Sequence, residues 1–111
     1  MENEFQTFDS EFGEIKMITI EGKDYFVAKD IANALGYISP HRAYIRYCKN
    51  FIKNKDYIIS GNSVYLIPEN DVILLIQKST IKPIEYKIKF NAWLMHEFGF
   101  KDKFIIEEKE K

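Results

Sequence analysis

The sequence predicts an α+β domain in which two β-hairpins form a small antiparallel sheet packed with about four helices, including a helix-turn-helix-like pair. Three observations carry that prediction. β-favouring residues flank two short turn signals, Glu21-Gly22-Lys23-Asp24 and Gly61-Asn62. Apolar residues recur at helical spacing after Val27, Pro40, Pro68 and Pro83. With 46% apolar and 15% aromatic residues in 111 positions, the chain can build one core but is too short for two ordinary domains. The expected organisation is a single domain over residues 1–111, its core spanning about 5–99 and residues 100–111 forming a tail.

The first hairpin lies between Gly13 and Ala28, where Ile15, Met17, Ile18 and Ile20 lead into the turn and Tyr25-Phe26-Val27 leads out of it. Ala28, Ile31, Ala32 and Leu35 then fall at i, i+3, i+4 and i+7, the apolar face of a two-turn helix that Gly36 can close in the left-handed conformation. Ser39 and Pro40 suit the cap and first position of a second helix. Its apolar side is expected to be His41, Ile45, Cys48 and Ile52, with Ala43, Tyr44, Tyr47 and Phe51 beside it. Arg42, Arg46, Lys49 and Lys53 recur at i, i+4, i+7 and i+11, so a helix reaching residue 53 would carry four cations on one face.

Tyr57-Ile58-Ile59-Ser60 and Ser63-Val64-Tyr65-Leu66-Ile67 flank Gly61-Asn62 and predict a second hairpin with a type II′ turn. Pro68 with Glu69 and Asp71 opens a third helix to about Lys78, the acids complementing its dipole. In the last and longest helix Ile84, Ile88, Ala92 and Met95 form the expected core stripe, widened by Phe90, Trp93, Leu94 and Phe98 and stopped by Gly99. Charges alternate from Lys101 onward as in a solvated end, although Phe104-Ile105-Ile106 could dock on the body.

Sixteen Lys and Arg against seventeen Asp and Glu leave a net charge of −1 that conceals a segregation. Residues 1–14 hold Glu2, Glu4, Asp9, Glu11 and Glu14 and no cation, whereas residues 31–55 hold Arg42, Arg46, Lys49, Lys53 and Lys55 and no acid. A single cysteine excludes an intramolecular disulfide and a thiolate metal cluster, and suggests a reducing compartment. The acidic N-terminus is unlike a signal peptide, and the longest apolar run is only Val72 to Ile76. No membrane partner is expected, and the expected location is intracellular: a bacterial or host cytoplasm, or the nucleus for a eukaryotic virus.

Catalysis finds little support in this inventory. His41, His96 and Cys48 are too few and too scattered for a nucleophile-base pair or a three-ligand metal site, and the five glycines are isolated rather than gathered into a phosphate loop. No catalytic residue, cofactor or metal is expected. Cys48 reads as a small buried hydrophobe, Asp30 as an acid complementing the first helix, and Lys78, Lys82, Lys87 and Lys89 as a solvated basic cluster diluted by Glu85. The constellation with a mechanism is the basic helix. Arg42, Arg46, Lys49 and Lys53 suit phosphates and, through arginine, guanine edges in a major groove, with Tyr44 and Tyr47 as neighbouring contacts. The competing reading is an ordinary amphipathic helix with a charged solvent face.

The words Phe12-Gly13-Glu14-Ile15, Tyr25-Phe26-Val27-Ala28-Lys29-Asp30-Ile31-Ala32 and Leu35-Gly36-Tyr37 together resemble the Bro-N domain, the N-terminal module of baculovirus Bro proteins and of many phage and prophage antirepressors. The resemblance continues through Leu66-Ile67-Pro68-Glu69 and Ile76 to Ser79, and reaches Phe90 with Trp93, covering roughly residues 5–98. It implies an α+β domain of viral, phage or prophage origin that binds DNA, often as part of a regulator interfering with a repressor. Joined to the basic helix, it gives the expectation of an antirepressor-like module on duplex DNA that cooperates with a second copy, with a repressor or host regulatory protein as a further partner. It assigns no individual base contact. Two departures stand out: similar proteins commonly carry a C-terminal domain that this sequence does not contain, and Phe98-Gly99-Phe100 replaces the usual Leu-Pro ending. The rival expectation is a protein-binding inhibitor that captures a regulator, with the acidic first 14 residues mimicking nucleic acid or folding back over the basic helix.

Overall fold

A computed structural model describes residues 4–105, the side chains of residues 54 and 55 excepted. Its elements run β1 (Gln6–Ser10), β2 (Gly13–Ile20), β3 (Lys23–Val27), α1 (Ala28–Ala34), α2 (Pro40–Tyr47), β4 (Ile52–Ile59), β5 (Asn62–Ile67), α3 (Glu69–Lys78) and α4 (Ile84–Phe98). The α+β class holds, with both hairpins and four helices. The hairpins are not separate: β3 pairs with β5 through Phe26–Ile67 and Val27–Leu66, giving one antiparallel sheet in the order β1-β2-β3-β5-β4. Helices α1 and α2 are the connection that lets the chain leave β3 and return at the far edge as β4.

The fifth strand, β1, was hidden in the acidic start. Its polar residues give no strong strand signal, but Phe8 points to the helix layer and meets Phe98 edge-on with ring centroids 4.8 Å apart. Side-chain alternation divides the sheet cleanly. Ile15, Met17, Phe26 and Ile67 join the main core with Ile31, Leu35, Leu75, Ile76, Phe90 and Leu94, while Ile18, Val27 and Leu66 form a smaller cluster on the other face.

The loops of the two expected hairpins are each two residues long. Glu21 and Gly22 have φ of 52° and 79°, Ser60 and Gly61 have 52° and 81°. Two positive φ values define a type I′ turn, whose twist matches that of paired strands. The second loop is therefore Ser60-Gly61, one residue earlier than the Gly61-Asn62 expectation and of the other primed type, with Asn62 already paired to Ile59.

Two acids in the first turn of α3 do more than complement its dipole. Glu69 Oε2 accepts the amides of Lys101 and Asp102 at 2.8 and 2.9 Å, fixing the chain after α4. Asp71, fully buried, accepts the amides of Lys49 and Asn50 at 3.0 and 2.8 Å, fixing the chain after α2. The packed body accordingly continues past Gly99: Phe100 and Phe104 are buried in the main core. Residue 106 and the charged tail residues 107–111, like Glu2, lie outside the described residues.

The phase of α4 differs from the expected one. Phe90 and Leu94 are fully buried, and Lys87 and Asn91 are buried beside them. Ile84, Ile88 and Met95 are exposed. Lys87, expected in solvent, donates from Nζ to the Ser79 carbonyl at 2.9 Å and lies over the Phe104 ring. Both stripes of this helix are apolar, so periodicity marked a helix without choosing which side faces the core.

Candidate nucleic-acid interface

Helix α1 leaves β3 without a break and buries Ala28, Ile31 and Ala32. It ends because Gly36 takes φ = 80°, which brings the Tyr37 amide to the Ala32 carbonyl at 3.1 Å. Its last carbonyls find partners outside the helix. The Tyr86 hydroxyl donates to Ala34 and the Ser79 hydroxyl to Leu35 at 3.2 Å. Tyr37 in turn donates to the Leu75 carbonyl at 2.7 Å, so the α1–α2 connection is tied to α3.

Helix α2 starts at Pro40 as expected, although Ser39 makes no side-chain cap, and it ends at Tyr47. Continuing it would require the amides of Lys49 and Asn50 to reach the carbonyls of Ile45 and Arg46. Both amides are taken by Asp71 instead. The four-cation rod is therefore corrected: Arg42 and Arg46 share the exposed side of α2, Lys49 sits in the turn that follows, and Lys53 belongs to strand β4.

The buried side of α2 is Ala43 and Tyr44, with Tyr47 half-buried and Cys48 sealed behind them. Burial pushes the Cys48 thiol up to about 12, with Asp71 nearby adding to it. Tyr44, expected as a ligand contact, is only 6% exposed, and its hydroxyl lies 3.0 Å from His41 Nδ1. Burial raises its phenol as well. His41 and Ile45, expected in the core, lie on the outward side with Arg42 and Arg46.

Aromatic rings connect this helix to the second hairpin. Tyr65 of β5 packs on Tyr44, His41 and Phe51 with centroid separations of 5.0, 5.6 and 5.3 Å. Lys53 Nζ lies 5.0 Å from the centre of the same Tyr65 ring, and the Arg46 guanidinium carbon lies 5.7 Å from that of Tyr47. Arg42, Arg46, Lys49 and Lys53 are all exposed, and none forms an ion pair among the described residues. A ring face attracts a cation without neutralising it, so the exposed charges stay available.

Beside this cluster runs a groove of about 450 Å³ between α1 and the β4–β5 hairpin, bordered by Lys29 and Asn33 on one side and Asn62, Ser63 and Tyr65 on the other. Lys29 and Asn33 are exposed at i and i+4 of α1, and the sequence gives no sign of them because only the apolar face of that helix is periodic. Lys16, at the groove's end, is committed: its amide and Nζ both bind Asp30, at 2.9 and 3.3 Å, and Nζ also reaches Glu14 at 3.0 Å. Burial raises the Asp30 carboxyl, opposed by those Lys16 contacts. Burial disfavours the Lys16 ammonium, but its bonds to Glu14 and Asp30 outweigh that and raise it. The acid thus anchors α1 to β2, beyond the dipole role expected of it.

The sequence profile described as BRO family, N-terminal domain, matches residues 14–99. The chain belongs to this family. No match was found among curated proteins or solved structures. The BRO-family match covers β2 through α4 and so includes the whole α1–α2 unit, both hairpins and the groove, while β1 and the segment after Gly99 lie outside it. The family is associated with DNA binding. No described helix is long and apolar enough to cross a membrane, and no group of three or more His, Cys, Asp or Glu among the described residues could hold a metal.

Proposed function

We propose that this BRO-family domain is a regulatory DNA-binding module rather than an enzyme, and that it meets duplex DNA with the outward side of α2. Four exposed cations whose side chains have no carboxylate partner among the described residues, on a surface where Tyr65 joins α2 to the second hairpin, are the observation that carries the reading. Arg42 and Arg46 are one helical turn apart and can reach successive phosphates or a guanine edge. Ile45 between them suits a thymine methyl. Lys49 and Lys53 extend the contact to the turn and to β4, and Lys29 with Asn33 extends it along the groove.

The acidic start supports this reading over one in which it shields the basic surface. Residues 6–10 pair with β2 at the sheet edge opposite β4, and no acid of the described N-terminal segment bonds to Arg42, Arg46, Lys49 or Lys53. Action inside a cell, a second copy and a role against a repressor or host regulator belong to the same proposal. Mobility shifts on random duplex test it. The wild type should retard DNA, and Arg42→Ala/Arg46→Ala should lose retardation with an unchanged circular dichroism spectrum. A double variant that still binds DNA as well as wild type overturns the α2 contact. Wild type that ignores DNA but captures a purified repressor, with or without the two arginines, supports the inhibitor reading instead.

A further inference from the structure

His41 joins the two halves of the basic surface. It is exposed on α2 beside Arg42, and its ring packs edge-on against Tyr44 and Tyr65 with centroid separations of 5.2 and 5.6 Å. Lys53 approaches the same Tyr65 ring from β4. Nδ1 of His41 lies 3.0 Å from the hydroxyl of Tyr44, a residue buried in the main core. An exposed side chain held by two rings and a hydrogen bond has given up much of its rotamer freedom before any ligand arrives. Nε2 is then the ring nitrogen without a partner among the described residues.

The charged groups around this ring are mostly cations. Arg42 adjoins it on α2, Lys53 approaches across Tyr65, and Lys29, Asp30 and Lys16 border the groove that Tyr44 and Tyr65 also line. Asp30 is the one acid among them, and Lys16 holds it. Tyr44 faces the ring as a neutral phenol, kept protonated by burial. No carboxylate among the described residues pairs with His41 to balance a positive charge. A phosphate is the kind of anion this ring lacks.

Resting on the α2 reading, we propose that His41 is a further phosphate contact of that surface and that its ring takes up a proton when duplex DNA binds, so that affinity rises as pH falls. A phosphate ester oxygen accepts hydrogen bonds and does not donate them, so Nε2 must carry a proton to meet it. The neutral ring does so with Tyr44 donating to Nδ1. The imidazolium does so with Nδ1–H donating to the Tyr44 oxygen. Only the hydroxyl hydrogen turns between the two states, and the ring keeps its place. The charged form makes the stronger contact, because a charge-assisted hydrogen bond is roughly twice as strong as a neutral one. Binding and protonation therefore favour each other. The gain is complete below the titration midpoint of the free ring and is lost as pH rises through that of the DNA-bound ring.

Fluorescence anisotropy of a labelled random duplex, over a series of salt concentrations at about pH 8 and about pH 5.5, tests this across the range in which histidine changes charge. Wild-type affinity should rise about tenfold at the lower pH, and the slope of log K against log salt should steepen by about 0.9, the mark of one more neutralised phosphate. His41→Gln, with an unchanged circular dichroism spectrum, should remove both effects. His96→Gln, which alters the other of the two histidines, should keep both. Nuclear magnetic resonance of the His41 ring protons in wild type needs no variant: added duplex should move the midpoint of their titration to higher pH by about one pH unit. A flat profile, an effect that survives His41→Gln or vanishes with His96→Gln, or a midpoint that DNA leaves in place overturns the proposal. Where one of these accompanies binding that still depends on Arg42 and Arg46, the α2 reading stands and this one falls. Wild type that binds no duplex at either pH sinks both.

Discussion

Helices α2 and α4 rest on the same core and turn opposite chemistry outward. The outward side of α2 carries Arg42 and Arg46 with Ile45 between them. That of α4 carries Ile84, Ile88, Ala92 and Met95. Inward they are alike, Tyr44 and Ala43 on one and Phe90 and Leu94 on the other all being closed off from solvent. The fold needs only the inward sides. The packing does not use what the outward sides carry, cations on one helix and apolar side chains on the other.

Breaking the inward sides should cost most. Phe90→Ala removes a fully buried ring packed on Phe12 and should lower stability by about 3–5 kcal/mol in urea unfolding, whereas Ile88→Ala on the opposite side of the same helix should cost no more than about 0.5 kcal/mol in the monomer. Equal costs would mean that the two sides of α4 had been misassigned.

Next in size is the thiol behind α2. A Cys48 held at about 12 should alkylate roughly a thousandfold more slowly in mildly alkaline buffer than in the unfolded chain. The same shift favours the folded state at neutral pH, because the protonated thiol is the form that folding prefers. That contribution is fully present below the ordinary thiol pKa and is lost as pH rises toward 12.

Asp71→Ala strips two part-buried amides of their buried acceptor and should cost about 2–3 kcal/mol, with hydrogen exchange at Lys49 and Asn50 accelerating before that of the α2 interior. Gly36→Ala should cost about 2 kcal/mol. It forces an L side chain to φ = 80° and sets a methyl 3.1 Å from Ile81 Cγ2 and Lys82 Cε. Smallest of all, Arg46→Ala should leave stability within about 0.5 kcal/mol of wild type. A larger loss would make the arginine structural and weaken the contrast between the inward and outward sides.

Local patterns were legible wherever a decision was local. The first hairpin, α1 with its Gly36 stop, the start of α2 at Pro40, α3 and the limits of α4 all follow from caps, breakers and periodicity. Decisions made by distant residues were not. The end of α2 is set by a carboxylate 22 positions on, and β1 is held by β2 and by one ring against Phe98. The facing of α4 is chosen by the sheet, since two apolar stripes compete on that helix.

The candidate surface shows the same division. Arg42, Arg46, Lys49 and Lys53 are exposed as charge alone suggested, but on three elements instead of one. Tyr44 is interior, and Lys29 and Asn33 enter only when the second hairpin folds back beside α1. The four cations are close in the chain, and it is the packing of Tyr65 that ties Lys53 to the helix.

The salt dependence of duplex binding probes that surface most directly. If Arg42, Arg46, Lys49 and Lys53 each neutralise one phosphate, log K should fall linearly with log salt with a slope of about −3.6, and Arg42→Ala/Arg46→Ala should reduce it to about −1.8. A slope near zero, or one that the double variant leaves unchanged, would contradict the account.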